Sequence, residues 1–271
     1  MTKIPSVIDA QLEVDDRVAI LKFNRDDVRN ALTGTALVDD IVNTVEWLNR
    51  DSSISCLIIT GNGKAFCSGG NVKEMRDGEG TFGGTPAQIA EKYRRGIQRI
   101  SLAVHSAEVP VIAAVNGPAI GAGFDLACMC DIRLGSKDTL FGETFINLGI
   151  IPGDGGAWFL QRIVGYQRAA ELTFSGRIVK AEEALQLGLL LEIVAADQLL
   201  EKTMELARSF AAKPPQALRM TKRLMKSGQR LELVDFLDLC SSYQASCHHT
   251  QDHRLAVDNF LEKTSSEYSG N

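Results

Sequence analysis

One stretch, residues 115–127, constrains this chain more than any other: Val115-Asn-Gly-Pro-Ala-Ile-Gly-Ala-Gly-Phe-Asp-Leu-Ala127. An apolar strand over residues 111–115 runs into a turn of small residues, and a helix begins near Gly121. Small residues there let a ligand reach the backbone. The first turn of a helix leaves N–H groups without intrahelical partners, and the helix dipole makes that spot electropositive. One carboxylate, Asp125, follows on that turn. An N–H donor for a developing oxyanion with an acid/base group beside it is a catalytic arrangement. A second glycine-rich turn, Gly61-Asn-Gly-Lys-Ala-Phe-Cys-Ser-Gly-Gly-Asn-Val-Lys-Glu-Met75, also follows an apolar strand, residues 56–60, and precedes a helix-like run. Two such turns can each supply one backbone N–H to the same oxygen.

Around these turns the apolar spacing alternates between strand and helix. Residues 12–23 read as a hairpin about Asp15-Asp16, and residues 35–49 as a helix through Leu37, Ile41, Val45 and Leu48. A buried strand over 55–60 is followed by a glycine-rich connection at 77–84. One long helix over 87–106 carries Ile89, Tyr93, Ile97 and Ile100 near one face. Short strands follow at 132–136 and 139–141, helices at 155–164, 167–174 and 181–187, and a strand at 190–194. Beyond residue 196 the pattern is helical throughout: 197–212, 215–226, 231–246 and 252–263. Such alternation predicts an α/β fold with mainly parallel strands, ending in a helical region.

The chain has 271 residues, of which 45% are apolar, enough for a sizeable buried core. A net charge of −5 argues against a nucleic-acid partner. The apolar runs are too short to span a membrane, and residues 1–10 carry no signal-peptide pattern, so the expectation is a soluble, cytoplasmic protein. Six cysteines without Cys-x-x-Cys spacing read as free thiols of a reducing compartment. Cys67 lies in the first glycine-rich turn, but no nearby base is suggested for a nucleophilic role. His249 and His253 are four apart on a predicted helix without an acidic third ligand, so no metal site is expected. Gly121-Ala-Gly123 lacks the third glycine of a dinucleotide fingerprint.

Taken together, several segments resemble the enoyl-CoA hydratase/isomerase (crotonase) superfamily. They are Lys64-Ala-Phe-Cys-Ser-Gly-Gly-Asn-Val-Lys-Glu-Met75, Val115-Asn-Gly-Pro-Ala-Ile-Gly-Ala-Gly-Phe-Asp125, Cys130-Asp-Ile-Arg133 and Leu148-Gly-Ile-Ile-Pro-Gly-Asp-Gly-Gly156, with Phe174-Ser-Gly-Arg177 and Ala181-Glu-Glu-Ala-Leu-Gln-Leu-Gly-Leu189 after them. The resemblance implies an α/β spiral of ββα units over residues 1–195 that carries the acyl-CoA site. It also implies a helical region over 196–271 that assembles a homotrimer or hexamer. The implied substrate is an acyl-CoA thioester, with coenzyme A as part of the substrate and no permanently bound cofactor. By alignment the N–H groups of Gly70 and Ala122 would hold the thioester oxygen of an enolate. Losing one such donor typically costs roughly 3 kcal/mol of transition-state stabilisation.

Coenzyme A contacts implied by the resemblance fall on Arg29, Ala31, Ser68, Gly70 and Val72, and more weakly on Phe260 and Lys263. Hydratases of the family use two glutamates that flank a water. Asp125 matches the first, one methylene shorter, while Phe145 stands at the second, and a phenyl ring moves no proton. The remaining candidates are Asp154 and Glu143. Asp154 matches an aspartate of the dienoyl-CoA isomerase branch, or else caps the following helix. Glu143 lies two residues before Phe145 and would face the same way on an extended segment. Phe82, Phe145 and Trp158 are candidates for an apolar acyl pocket. Hydration and double-bond isomerisation lead. Hydrolysis or dehalogenation through Asp154, and a non-catalytic CoA- or RNA-binding role, stay open.

Overall fold

The computed structural model describes residues 2–271. A six-stranded sheet runs through the molecule, built from β1 (Ala10–Asp15), β2 (Val18–Phe23), β3 (Cys56–Gly61), β4 (Val111–Val115), β6 (Ile132–Ser136) and β9 (Glu192–Val194), in the order β1-β2-β3-β4-β6-β9. The opening hairpin pairs antiparallel, with Asp15 opposite Val18, and every later pairing is parallel. Parallel strands need cover on both faces. Along β3, Leu57 and Ile59 join the large core under α1 (Leu37–Arg50) and α4 (Gln98–Ser106), whereas Cys56 and Ile58 join a smaller core. The helix α9 (Leu199–Ala211) closes that smaller core with Leu199, Met204, Ala207 and Ala211. Its apolar stripe thus lies directly on the sheet, and only α10 (Pro215–Ser227), α11 (Leu233–His248) and α12 (Gln251–Glu262) extend the fold beyond it.

A second sheet of three short strands, β5 (Pro118–Ile120), β7 (Leu140–Gly142) and β8 (Ile178–Lys180), lies beside the first. The chain therefore winds as a spiral: β4 leads to β5 and α5 (Ala122–Met129), and β6 leads to β7, α6 (Gly156–Val164) and α7 (Tyr166–Ser175). Neither β5 nor β8 was expected. Each is three residues long, and its partner strand is supplied by tertiary structure rather than by local pattern. The single helix expected over 87–106 is two, α3 (Pro86–Arg95) and α4, with α2 (Val72–Asp77) before them and α8 (Ala181–Gln186) later in the chain. The break is at Gly96, whose ψ of −113° is not helical and where a Cβ would lie 2.6 Å from the Lys92 carbonyl oxygen.

The first glycine-rich turn is held against β5 by main chain alone. Cys67 bridges to Ala119, the Cys67 N–H donates to the Pro118 carbonyl at 3.2 Å, and the Ile120 N–H donates to the Cys67 carbonyl at 3.0 Å. Such an approach leaves no space for side chains. A Cβ on Gly69, at φ +77°, would lie 2.6 Å from the Ile120 carbonyl oxygen, and a Cβ on Gly123 would overlap the Cys67 carbonyl. Gly123→Ala is therefore expected to destabilise the fold by about 1–3 kcal/mol, measured as a lower urea midpoint. An unchanged midpoint would contradict this packing.

Candidate active site

The main-chain approach at Cys67 and Ala119 brings both glycine-rich turns to one small cavity of about 20 Å³, lined on one side by Gly70 and Ala122. Among the described residues, neither the Gly70 nor the Ala122 N–H has a hydrogen-bond partner. Ala122 is the first residue of α5, where an intrahelical partner is impossible. Gly121 before it sits at φ +54°, a conformation that glycine adopts without strain. Phe82, Phe145, Tyr93, Ile97, Ile150 and Asp154 line it as well, with Phe82 close to Gly70 and Phe145 close to Gly121.

Three carboxyl groups gather behind this cavity: Asp125 from the first turn of α5, Glu143 from the end of β7, and Asp154 from the loop before α6. They are 1%, 1% and 3% exposed. Asp125 sits in the middle, within hydrogen-bonding range of both others. Its Oδ2 accepts the Gly156 N–H at 3.1 Å, and a Cβ on Gly156 would collide with the carboxylate, so this glycine is what admits it. Among the described residues, neither Glu143 nor Asp154 finds an N–H or O–H donor for its side chain. Two carboxyl groups bond each other only when one keeps its proton. Burial disfavours charge on all three, and repulsion adds to it at Asp125 and Glu143. Asp125 is pushed well above the ordinary carboxylate range, Glu143 up to about 7, and Asp154 upward as well.

Several expectations change at this point. Asp154 is not the cap of α6: that position is Gly155, and the side chain that bonds the helix start is Asp125, on the Gly156 N–H. Glu143 does meet Asp125, but not along an extended segment, because residues Thr144–Leu148 form a 3-10 helix that turns Phe145 toward the cavity instead. Phe82 and Phe145 share the cavity wall, while Trp158 lines a different cavity. Cys67 is structural: burial pushes its thiol up to about 12, and its sulfur accepts the Gly69 N–H. His249 and His253 do not share a helix, since a new helix starts after Thr250. It is His248 and His253 whose rings meet, at 2.9 Å between nitrogens.

The segment over residues 25–32 lies along the first glycine-rich turn. The Ser68 N–H donates to the Arg29 carbonyl at 3.0 Å and the Leu32 N–H to the Gly69 carbonyl at 2.8 Å. Arg29, Ala31, Ser68, Gly70 and Val72 thus lie on two adjoining segments; Ala31 is buried, and Arg29 and Val72 are exposed. Phe260 is exposed on α12, Lys263 follows that helix, and neither lines the cavity. Thr33, Met75, Thr81, Tyr93, Ile97 and Ile150 also line the cavity and were not anticipated there. Tyr93 faces Asp154, and burial together with that carboxylate raises its phenol. Its position on the apolar stripe of residues 89–100 was legible, and a polar-tipped ring on such a stripe was the available signal.

Comparison with known proteins bears on the same region. The sequence profile described as enoyl-CoA hydratase/isomerase matches residues 13–271. A short-chain-enoyl-CoA hydratase of Clostridium acetobutylicum is 33% identical over 255 residues, covering 93% of this chain and 94% of that protein. A 1,2-epoxyphenylacetyl-CoA isomerase of Escherichia coli is 31% identical over 258 residues, covering 95% and 97%. The crystal structure of an enoyl-CoA hydratase from Bacillus anthracis superposes with a TM-score of 0.90 at 31% identity, covering 97% of this chain and 100% of that one. The chain belongs to the enoyl-CoA hydratase/isomerase family, and its fold is the crotonase fold.

The raised carboxyls have a stability consequence. Ordinary carboxyls titrate at roughly 4 in the unfolded chain, so above that range the native protein binds more protons than the unfolded one. Stability from the trio is present at the acid end and is lost as pH rises through the folded values, for Glu143 about 7. Glu143→Gln removes one titrating group. The Tm of wild type relative to Glu143→Gln is expected to fall as pH is raised from about 5 to about 8. A difference that grows over this interval would refute the assignment.

Proposed function

We propose that this chain is an acyl-CoA enzyme that moves the double bond of an enoyl-CoA, with the Gly70 and Ala122 N–H groups holding the thioester oxygen. Asp154 is the proton-carrying group that faces the substrate, and Asp125 and Glu143 stand behind it as a proton relay. One observation carries this reading: among the described residues, Asp154 is the only carboxyl on the wall of the cavity that Gly70 and Ala122 line, and Phe145, which moves no proton, lines the same cavity. Hydration by the two-glutamate route needs carboxyls on either side of one water. Isomerisation needs one base that takes a proton from the α carbon and returns it at the γ carbon. As the α C–H bond breaks, its electron pair passes into the dienolate, whose oxygen charge the two N–H donors stabilise. Reprotonation at the γ carbon completes the shift without any net change in atoms or electrons.

The high proton affinity of the trio supports the reading. A buried carboxyl whose proton affinity is raised holds a proton more readily than an exposed one, and so serves to return it as well as remove it. Arg29, Ala31, Ser68 and Val72 border the cradle assigned to coenzyme A. The exposed apolar residues Leu233, Val234 and Leu237 on α11 fit contacts between copies in a trimer or hexamer. The test is turnover of 3-hexenoyl-CoA, followed by the absorbance of the conjugated product, beside hydration of crotonyl-CoA. Asp154→Asn is expected to lower isomerase kcat by about 10²–10⁴-fold without lowering Tm. Full activity in Asp154→Asn, or efficient hydration with no isomerisation in the wild type, would sink the proposal.

A further inference from the structure

A second, larger cavity of about 390 Å³ shares no lining residue with the first. Its size falls in the range of small-molecule sites, roughly 300–1,000 Å³. It lies between α6 and α10, with the C-terminal end of α5 and the start of β6 as its floor. The walls are mainly apolar: Trp158 and Phe159 from α6, Phe210 from α9, and Leu218 and Met225 from α10. Trp158 stands edge-on to both His105 and Phe159, with ring centroids 5.2 Å and 4.8 Å away.

Charge in this cavity is unbalanced. Arg133, Arg162, Lys222 and Lys226 line it, with Asp131 the only carboxylate among the described residues. Asp131 is taken by Lys222 at 2.6 Å. The other cations rest on neutral groups. Arg133 donates to the carbonyls of Leu189, Ala127 and Cys130. Arg162 donates to the Trp158 carbonyl and stacks 3.7 Å from the centre of its ring. Lys226 donates to the His105 carbonyl, and burial with Lys222 nearby lowers its ammonium to about 8. In a chain of net charge −5, an excess of cations around an apolar cavity is a local feature with a chemical meaning. Lys226 is half-buried and Arg162 exposed at the rim; cations without a counter-charge favour an anion, and the walls favour an apolar body.

We infer that this cavity binds an apolar monocarboxylate, such as a medium-chain fatty acid, with the carboxylate against Lys226 and Arg162 and the chain against Trp158, Phe159 and Met225. The site is separate from the candidate active site and does not depend on the reaction assigned there. It would let the free acid corresponding to an acyl group be sensed by a chain that handles the thioester.

Tryptophan emission tests the inference on the protein as purified. The chain has two tryptophans, Trp47 in the main core and Trp158 in the cavity wall. Sodium octanoate is expected to give a saturable change in emission and a matching calorimetric isotherm, with octan-1-ol at least about tenfold weaker. Lys226→Gln and Arg162→Gln should each weaken octanoate by about tenfold, and Asp154→Asn should leave it unchanged. Trp158→Phe should remove the optical signal but not the heat. The proposal is overturned if octanoate gives no saturable isotherm, if octanol binds equally well, if the two cation variants bind like wild type, or if Asp154→Asn abolishes binding. Should Lys226→Gln fail to fold, Arg162→Gln decides alone. Absence of binding in a protein that sediments as an oligomer would assign the cavity to contacts between copies instead.

Discussion

Main chain passes main chain between Cys67 and Ala119, and the rest of the candidate site depends on that passage. Only there can the first glycine-rich turn bring Gly70 beside the start of α5. Gly69 and Gly123 matter for what they lack, since a methyl group on either would force the two segments apart. The N–H groups that result are fixed by the backbone rather than by a side-chain rotamer. Donors of that kind need little reorganisation when charge develops, which is why main chain is an effective material for an oxyanion site.

The carboxyl trio follows a different logic. Three acids in a nearly dry interior cannot all ionise, so they hold protons that exposed acids would have lost. Gly156 supplies the one N–H that faces them, to Asp125. The central member nevertheless holds its proton most strongly, because burial and both neighbouring carboxyls oppose its charge, and its hydrogen bonds favour charge on the outer two. Phe145 gives the cavity a wall that neither donates nor accepts. In the reading proposed here, the chain has moved its proton chemistry from the two sides of a water to one side of a carbon skeleton.

Much of this was legible from residues alone. The strands β3 and β4 announce themselves by unbroken apolar runs, and α1 by its spacing. Both glycine-rich turns could be placed because glycine has a backbone meaning that does not wait for tertiary structure. What was illegible is whatever depends on partners far along the chain. The three-residue strands β5 and β8 have no local signature. An isolated glycine such as Gly96 inside an apolar helical stripe is tolerated at a modest cost, so the break is not readable from spacing. Glu143 was expected to face the same way as Phe145 on an extended segment, but the 3-10 turn after β7 separates the two, and Glu143 meets Asp125 instead. The burial of all three carboxyls, which sets their proton affinity, is a property of packing and cannot be read from spacing.

The helix α5 is buried along its whole length, from Ala122 to Met129. One end presents an amide to the small cavity, and the other end, at Cys128 and Met129, floors the large one. Over about 12 Å it works as a strut: a close-packed interior transmits displacement rather than absorbing it. The two cavities thus share one short, close-packed helix as part of their walls.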